Sequence, residues 1–85
     1  MKHMIYLTSS IEQITEDAIE IGAVSSFDEA CRIIHKFLES SGFRKDKYWR
    51  YCLAQEATFI DFGSWAQFIA ITPPFSNKEI FGDQI

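Results

Sequence analysis

Cys31 and His35 stand four positions apart, so on a helix their side chains share one face. A thiolate and an imidazole at that spacing are donors that zinc accepts, with Cys52 and His3 as further ligands from elsewhere in the chain. The same two groups could pair as nucleophile and base. Neither chemistry is complete. Cys31 sits at the edge of an apolar stripe, where cysteine packs as a small hydrophobe. His35 sits at the polar boundary of that stripe, and no third group orients the pair or offers an oxyanion hole. Asp61, set among aromatics, would hold its proton more tightly if buried. A strand-end carboxylate facing Arg50 or solvent explains it as well. No phosphate-binding glycine loop, no HExxH, no GxSxG and no calcium-binding loop occurs in the sequence. The expectation is no catalytic residue, no metal and no cofactor.

The run from Arg44 to Arg50 interleaves bases with aromatics through Lys45, Lys47 and Trp49. Such a mix can grip single-stranded nucleic acid by stacking and phosphate contact. The run is short, it contains Asp46, and it belongs to an acidic chain. Cations that follow a helix and open a strand account for it without a nucleic acid.

The elements that would position these residues follow from periodicity. His3–Thr8 is rich in strand formers and reads as a first strand. In 10–21, Ile11, Ile14, Ala18, Ile19 and Ile21 fall in one sector at helical spacing. Ser9 and Glu12 have the capping-box form, and Gly22 stands at a C-cap position. The segment is predicted as a helix, with a strand at 18–24 as the alternative because its isoleucines are β-branched. Ser26 and Glu29 form a second capping box ahead of the stripe Ala30, Ile34, Phe37 and Leu38, and Gly42 closes it, which predicts a helix over 27–40. Strands follow at 47–53, 58–62 and 65–72. Pro73-Pro74 ends the sheet, and residues 75–85 form a polar tail expected to be loosely held. The fold class is α+β, an antiparallel sheet of three to five strands with helix 27–40 on one face, in a single domain.

Gly63-Ser64 reads as a two-residue turn, which pairs Phe62 with Trp65, Ile60 with Gln67, and Thr58 with Ile69. One face then shows Ile60, Phe62, Trp65 and Ile69. The other shows Phe59, Ala66, Phe68 and Ala70, whose small alanines suit a closely packed helix. Under that assignment Ile60, Phe62, Trp65 and Ile69, with Trp49, form the candidate partner-binding surface, since an uncovered aromatic face asks for a covering.

Thirteen aromatics and 47% hydrophobic residues among 85 describe a small globular domain. The formal charge is −4, with seven acids against three cations in residues 1–40, an imbalance that argues against general nucleic-acid binding and permits a basic partner. Two cysteines do not make a disulfide framework, and no apolar run reaches a signal-peptide core or a membrane span, so a cytoplasmic protein is expected. The function read from these features is a non-enzymatic interaction or regulatory module that binds a protein partner or a second copy of itself. The alternatives are a small-molecule or nucleotide-binding domain built on Trp49, Tyr51 and Trp65, and single-stranded nucleic-acid binding through 44–50.

Overall fold

The computed structural model describes residues 2–42, 49–64 and 66–82. Its elements in chain order are strands β1 (His3–Thr8) and β2 (Ile19–Val24), helix α1 (Phe27–Ser40), strands β3 (Arg50–Leu53), β4 (Thr58–Asp61) and β5 (Phe68–Thr72), and a short helix α2 (Asn77–Phe81). The strands form one antiparallel sheet in the order β2-β1-β5-β4-β3, and the fold is α+β. α1 keeps the predicted bounds. The Ser26 hydroxyl accepts from the Glu29 N–H at 3.2 Å, and the Glu29 carboxylate accepts from the Ser25 N–H, one residue earlier than a capping box requires.

The predicted helix over 10–21 does not form, and its alternative, a strand, does. Two causes act together. Ile19, Ile21 and Val24 are β-branched and pair well in an extended chain. In addition, the hydroxyls of residues 8–15 bind backbone locally, which competes with a helical ladder. The Thr15 N–H donates to Thr8 Oγ1 at 2.9 Å and the Ser9 N–H to Thr15 Oγ1 at 3.2 Å. Ser10, not Ser9, accepts the Glu12 N–H, and Ser9 instead donates its hydroxyl to Asp17 at 3.0 Å. Gly22 is a strand residue within the β1–β2 pairing, which is interrupted by a bulge opposite the step from Ile5 to Tyr6.

The turn at Gly63-Ser64 is wider than predicted. Ile60 pairs with Ile69 and Thr58 with Ile71, two residues beyond the expected register, and β4 and β5 are joined through residues 62–67. Phe62 is drawn into the core, which ends β4 at Asp61, and Asp61 Oδ1 then accepts the Gly63 N–H at 3.0 Å. A shift of two preserves the face of each paired side chain, so Ile60 and Ile69 stay on one face and Phe59 and Ala70 on the other.

Which face the helix takes is the reverse of the prediction. α1 packs its Ala30, Ile34 and Leu38 against Ile5, Leu7, Ile60, Phe62, Ile69 and Ile71. The face with Phe59 and Ala70 is covered by Ile11, Ile14, Ala54 and Ala57. β1 decides this. Its pairing sets Ile5 beside Ile71 and Leu7 beside Ile69, so one face becomes aliphatic across three strands. The other face carries Thr8, Arg50, Cys52 and Asp61 around Phe59, and a loop suffices there. The segment after the sheet is anchored: Phe75 is buried, its N–H donates to Thr58 Oγ1 at 3.1 Å, and its ring stacks on His3 at 3.9 Å. Ser76 and Glu79 form a complete capping box on α2, whose Ile80 joins the α1-side core.

Two substitutions test this packing with opposite signs. Phe62→Ala is expected to lower unfolding free energy by about 3–5 kcal/mol in urea titrations, as for a buried aromatic. A Cβ at Gly22 would meet the Ile33 methyl carbons at 3.5 and 3.6 Å, ordinary contact distances. Gly22→Ala is therefore expected to stabilise the protein by roughly 0.4–1 kcal/mol through the unfolded chain.

Candidate functional site

Of the sequence-derived surface of Trp49, Ile60, Phe62, Trp65 and Ile69, three residues are buried within the chain. Ile60 and Ile69 are 0% exposed and Phe62 1%. Turning these three side chains out to a partner would cost roughly 5–9 kcal/mol of hydrophobic burial, at about 1.5–3 kcal/mol each. That is comparable with the whole stability of a small domain, about 5–15 kcal/mol. They are the chain's own core. Trp49 is half-buried and stacks on His35 with ring centroids 4.6 Å apart. Trp65 lies outside the described residues.

The nucleic-acid set is divided as well. Arg44, Lys45 and Lys47 lie outside the described residues. Trp49 lies against the α1-side core, whereas Arg50 pairs opposite Asp61 on the far face of the sheet. Asp61 itself is half-buried and occupied with the Gly63 N–H.

The Cys31–His35 pair shares a helix but not an environment. Cys31 is half-buried beside Tyr51, and burial, with a further contribution from Asp28, pushes its thiol up. His35 is exposed and meets Trp49. Cys52 pairs with Phe59 on the face turned away from α1, and the His3 ring binds the Pro73 carbonyl at 2.6 Å. Among the described residues no group of three or more His, Cys, Asp or Glu side chains comes close enough to hold a metal. Tyr51 is engaged by the rings of Phe27 and Phe81 at 6.1 and 5.5 Å. An open groove of about 490 Å³ runs along the outer side of α1, lined by Arg32, His35, Lys36, Glu39 and Ser40. It is shallow and, among the described residues, bounded by the side chains of one helix alone, unlike the enclosing lining of a small-molecule site. No helix among the described residues is long and apolar enough to cross a membrane.

The structure does bring one feature together that periodicity concealed. Between Lys2 and Arg32 the chain carries Glu12, Glu16, Asp17, Glu20, Asp28 and Glu29 and no lysine or arginine. Glu12, Glu16, Asp17 and Glu20 are exposed, and they lie on the loop that feeds β2 and on β2 itself. Hydrogen bonds from Thr15 and Ser9 hold the Asp17 carboxyl below the usual carboxylate range, so it keeps its charge. β2 is an edge strand, and Ile19 on it is 61% exposed. The signal in the sequence was the absence of any cation over 3–31. The helical reading of 10–21 masked it, because at that spacing Glu12, Glu16 and Glu20 fall together on the polar face of an amphipathic helix, where exposed acids are ordinary.

The two thiols separate the inner and outer environments. With iodoacetamide at pH 8, exposed Cys52 is expected to react well before Cys31, whose raised pKa keeps it as the thiol. The sign for stability follows. Protonated Cys31 supports the fold below the ordinary value of 9.0, and that support is lost as pH rises through the shifted value. The urea midpoint should decline above about pH 9, and Cys31→Ala should reduce the decline.

Comparison of the chain with protein-family models, with curated proteins and with solved structures finds no match in any of the three.

Proposed function

We propose that the chain is a non-enzymatic interaction module that binds a basic partner protein. The observation that carries the reading is the exposed, single-signed border formed by Glu12, Glu16, Asp17 and Glu20 around a sheet edge. Same-sign charge gathered along one border is an unfavourable arrangement within the protein, because it repels itself. It becomes favourable against a surface of opposite sign, where it steers association and sets partner choice. The candidate chemical groups stand apart from each other, which supports binding over turnover. Self-association through the aromatic sheet face loses its motive, because that face is covered by α1.

A triple variant, Glu12→Gln, Glu16→Gln and Glu20→Gln, tests the reading. Captured by the immobilised native chain, a partner should be basic and should be released between about 0.1 and 1 M salt, as the Debye length falls from about 10 to 3 Å. The triple variant should melt at the native temperature or slightly above it, since it removes repulsion, and should fail to capture the same protein. Equal capture by both chains, or a partner held unchanged in high salt, would remove the proposal.

A further inference from the structure

We infer that β2 is a docking strand, and that its occupant is an extended basic segment of another protein that adds to the sheet as a sixth strand. This rests on the reading of the chain as an interaction module and specifies how that module binds. Among the described residues β2 pairs with β1 alone, so the backbone groups along its outer side are open to a further strand. Edge strands are usually guarded by lysine, by proline or by extreme shortness. β2 has six residues and neither lysine nor proline, and its guards are one bulge and Glu20. The opposite edge, β3, has four residues and carries Arg50.

Register gives the chemistry of the occupant. Ile19 is opposite Leu7 and therefore lies on the α1 side of the sheet, while Glu20 is opposite Tyr6 and lies on the other side. An added strand presents alternate side chains to these two sides. An apolar side chain beside Ile19 would cover a residue now 61% exposed. A lysine or arginine one position along would face Glu20, with Glu16 and Asp17 just before it in the chain. The fitting segment alternates basic and β-branched residues. The same charges disfavour a second copy of β2, because pairing two such strands would bring Glu20 and its acidic neighbours together.

An eight-residue peptide alternating lysine and valine is the probe, read by amide hydrogen exchange of the full chain. On saturation, amides of β2 should exchange about tenfold or more slowly, while those of β3 stay unchanged. Two N-methylated forms of the peptide, each blocking one edge of the strand, should differ. One binds as before, and the other loses about tenfold or more in affinity, since it forfeits several ladder hydrogen bonds. Replacing the peptide's lysines by glutamate should abolish binding, and Glu20→Lys in the protein should weaken it.

Binding with no slowing in β2, or equal binding of both N-methylated forms, would overturn strand addition while leaving the interaction reading intact. Protection of β2 that grows with protein concentration in the absence of peptide would overturn the basic occupant in favour of a second copy. Failure of the peptide to bind, together with failure of partner capture, would end both proposals. Failure of the peptide alone would end this one.

Discussion

The pairing of β1 with β5 is the constraint on which the rest of the molecule depends. It is a contact between the two ends of the chain, with Met4 opposite Thr72 and Thr8 opposite Phe68. Because the register sets Ile5 beside Ile71 and Leu7 beside Ile69, and β4 then sets Ile60 beside Ile69, a continuous aliphatic surface exists only when β5 lies between β1 and β4. α1 has a matching stripe and covers that surface. The loop over 9–18 is left with the smaller task of covering Phe59 and Ala70. Helix placement, the burial of Phe62 and the exposure of β2 at the border all follow from one non-local register.

The polar groups trapped by this arrangement are satisfied. Among the described residues no buried side-chain nitrogen or oxygen lacks a partner. Thr58 is 0% exposed on the aliphatic face, where a hydroxyl would be costly alone, and it accepts the Phe75 N–H. That bond sets the chain leaving the sheet so that the Phe75 ring meets His3 and, edge-on, Phe27 at 5.4 Å. Phe27 in turn faces Tyr51, and Tyr51 faces Phe81. A row of rings thus ties β1, the start of α1, β3 and α2 to one another. In a domain with few residues to bury, such ring contacts add about 0.5–1.5 kcal/mol each beyond their area.

What was legible in the sequence divides along the same line between local and non-local. α1 is read with correct bounds because its stripe, its Ser26 cap and Gly42 all lie within residues 26–42 and agree. The strands are found because alternation is local, and the paired residues Phe59, Ile60, Ile69 and Ala70 are sorted to the right faces even with the register off by two. The face taken by α1 is not legible from the hairpin, because it depends on β1, some sixty residues away in the chain. Reading Ala66 and Ala70 as a helix seat weighed side-chain size. The molecule weighed apolar area, and Ile5, Leu7, Ile60, Ile69 and Ile71 outweigh Phe59. Ile60, Phe62 and Ile69 of the candidate surface lie in the core for the same reason, since they were placed from the hairpin alone.

The segment that misled the reading is also the one left at the border. Residues 10–21 have a helical apolar period yet fold as loop and strand, a conflict between local pattern and global structure. The conflict is settled by Thr8, Ser9, Ser10 and Thr15, whose hydroxyls take up the backbone and side-chain groups of the loop. The loop then covers Phe59 through Ile11 and Ile14 while turning Glu12, Glu16 and Asp17 outward. Packing explains the two isoleucines and the hydroxyls. The start of α1 accounts for Asp28 and Glu29, and the Ser9 hydroxyl for Asp17, but packing does not explain why the exposed Glu12, Glu16 and Glu20 share that sign with no lysine or arginine among them. A constraint that stability does not impose is one that binding can, and it falls on the longer of the two sheet edges, which carries no cation to guard it.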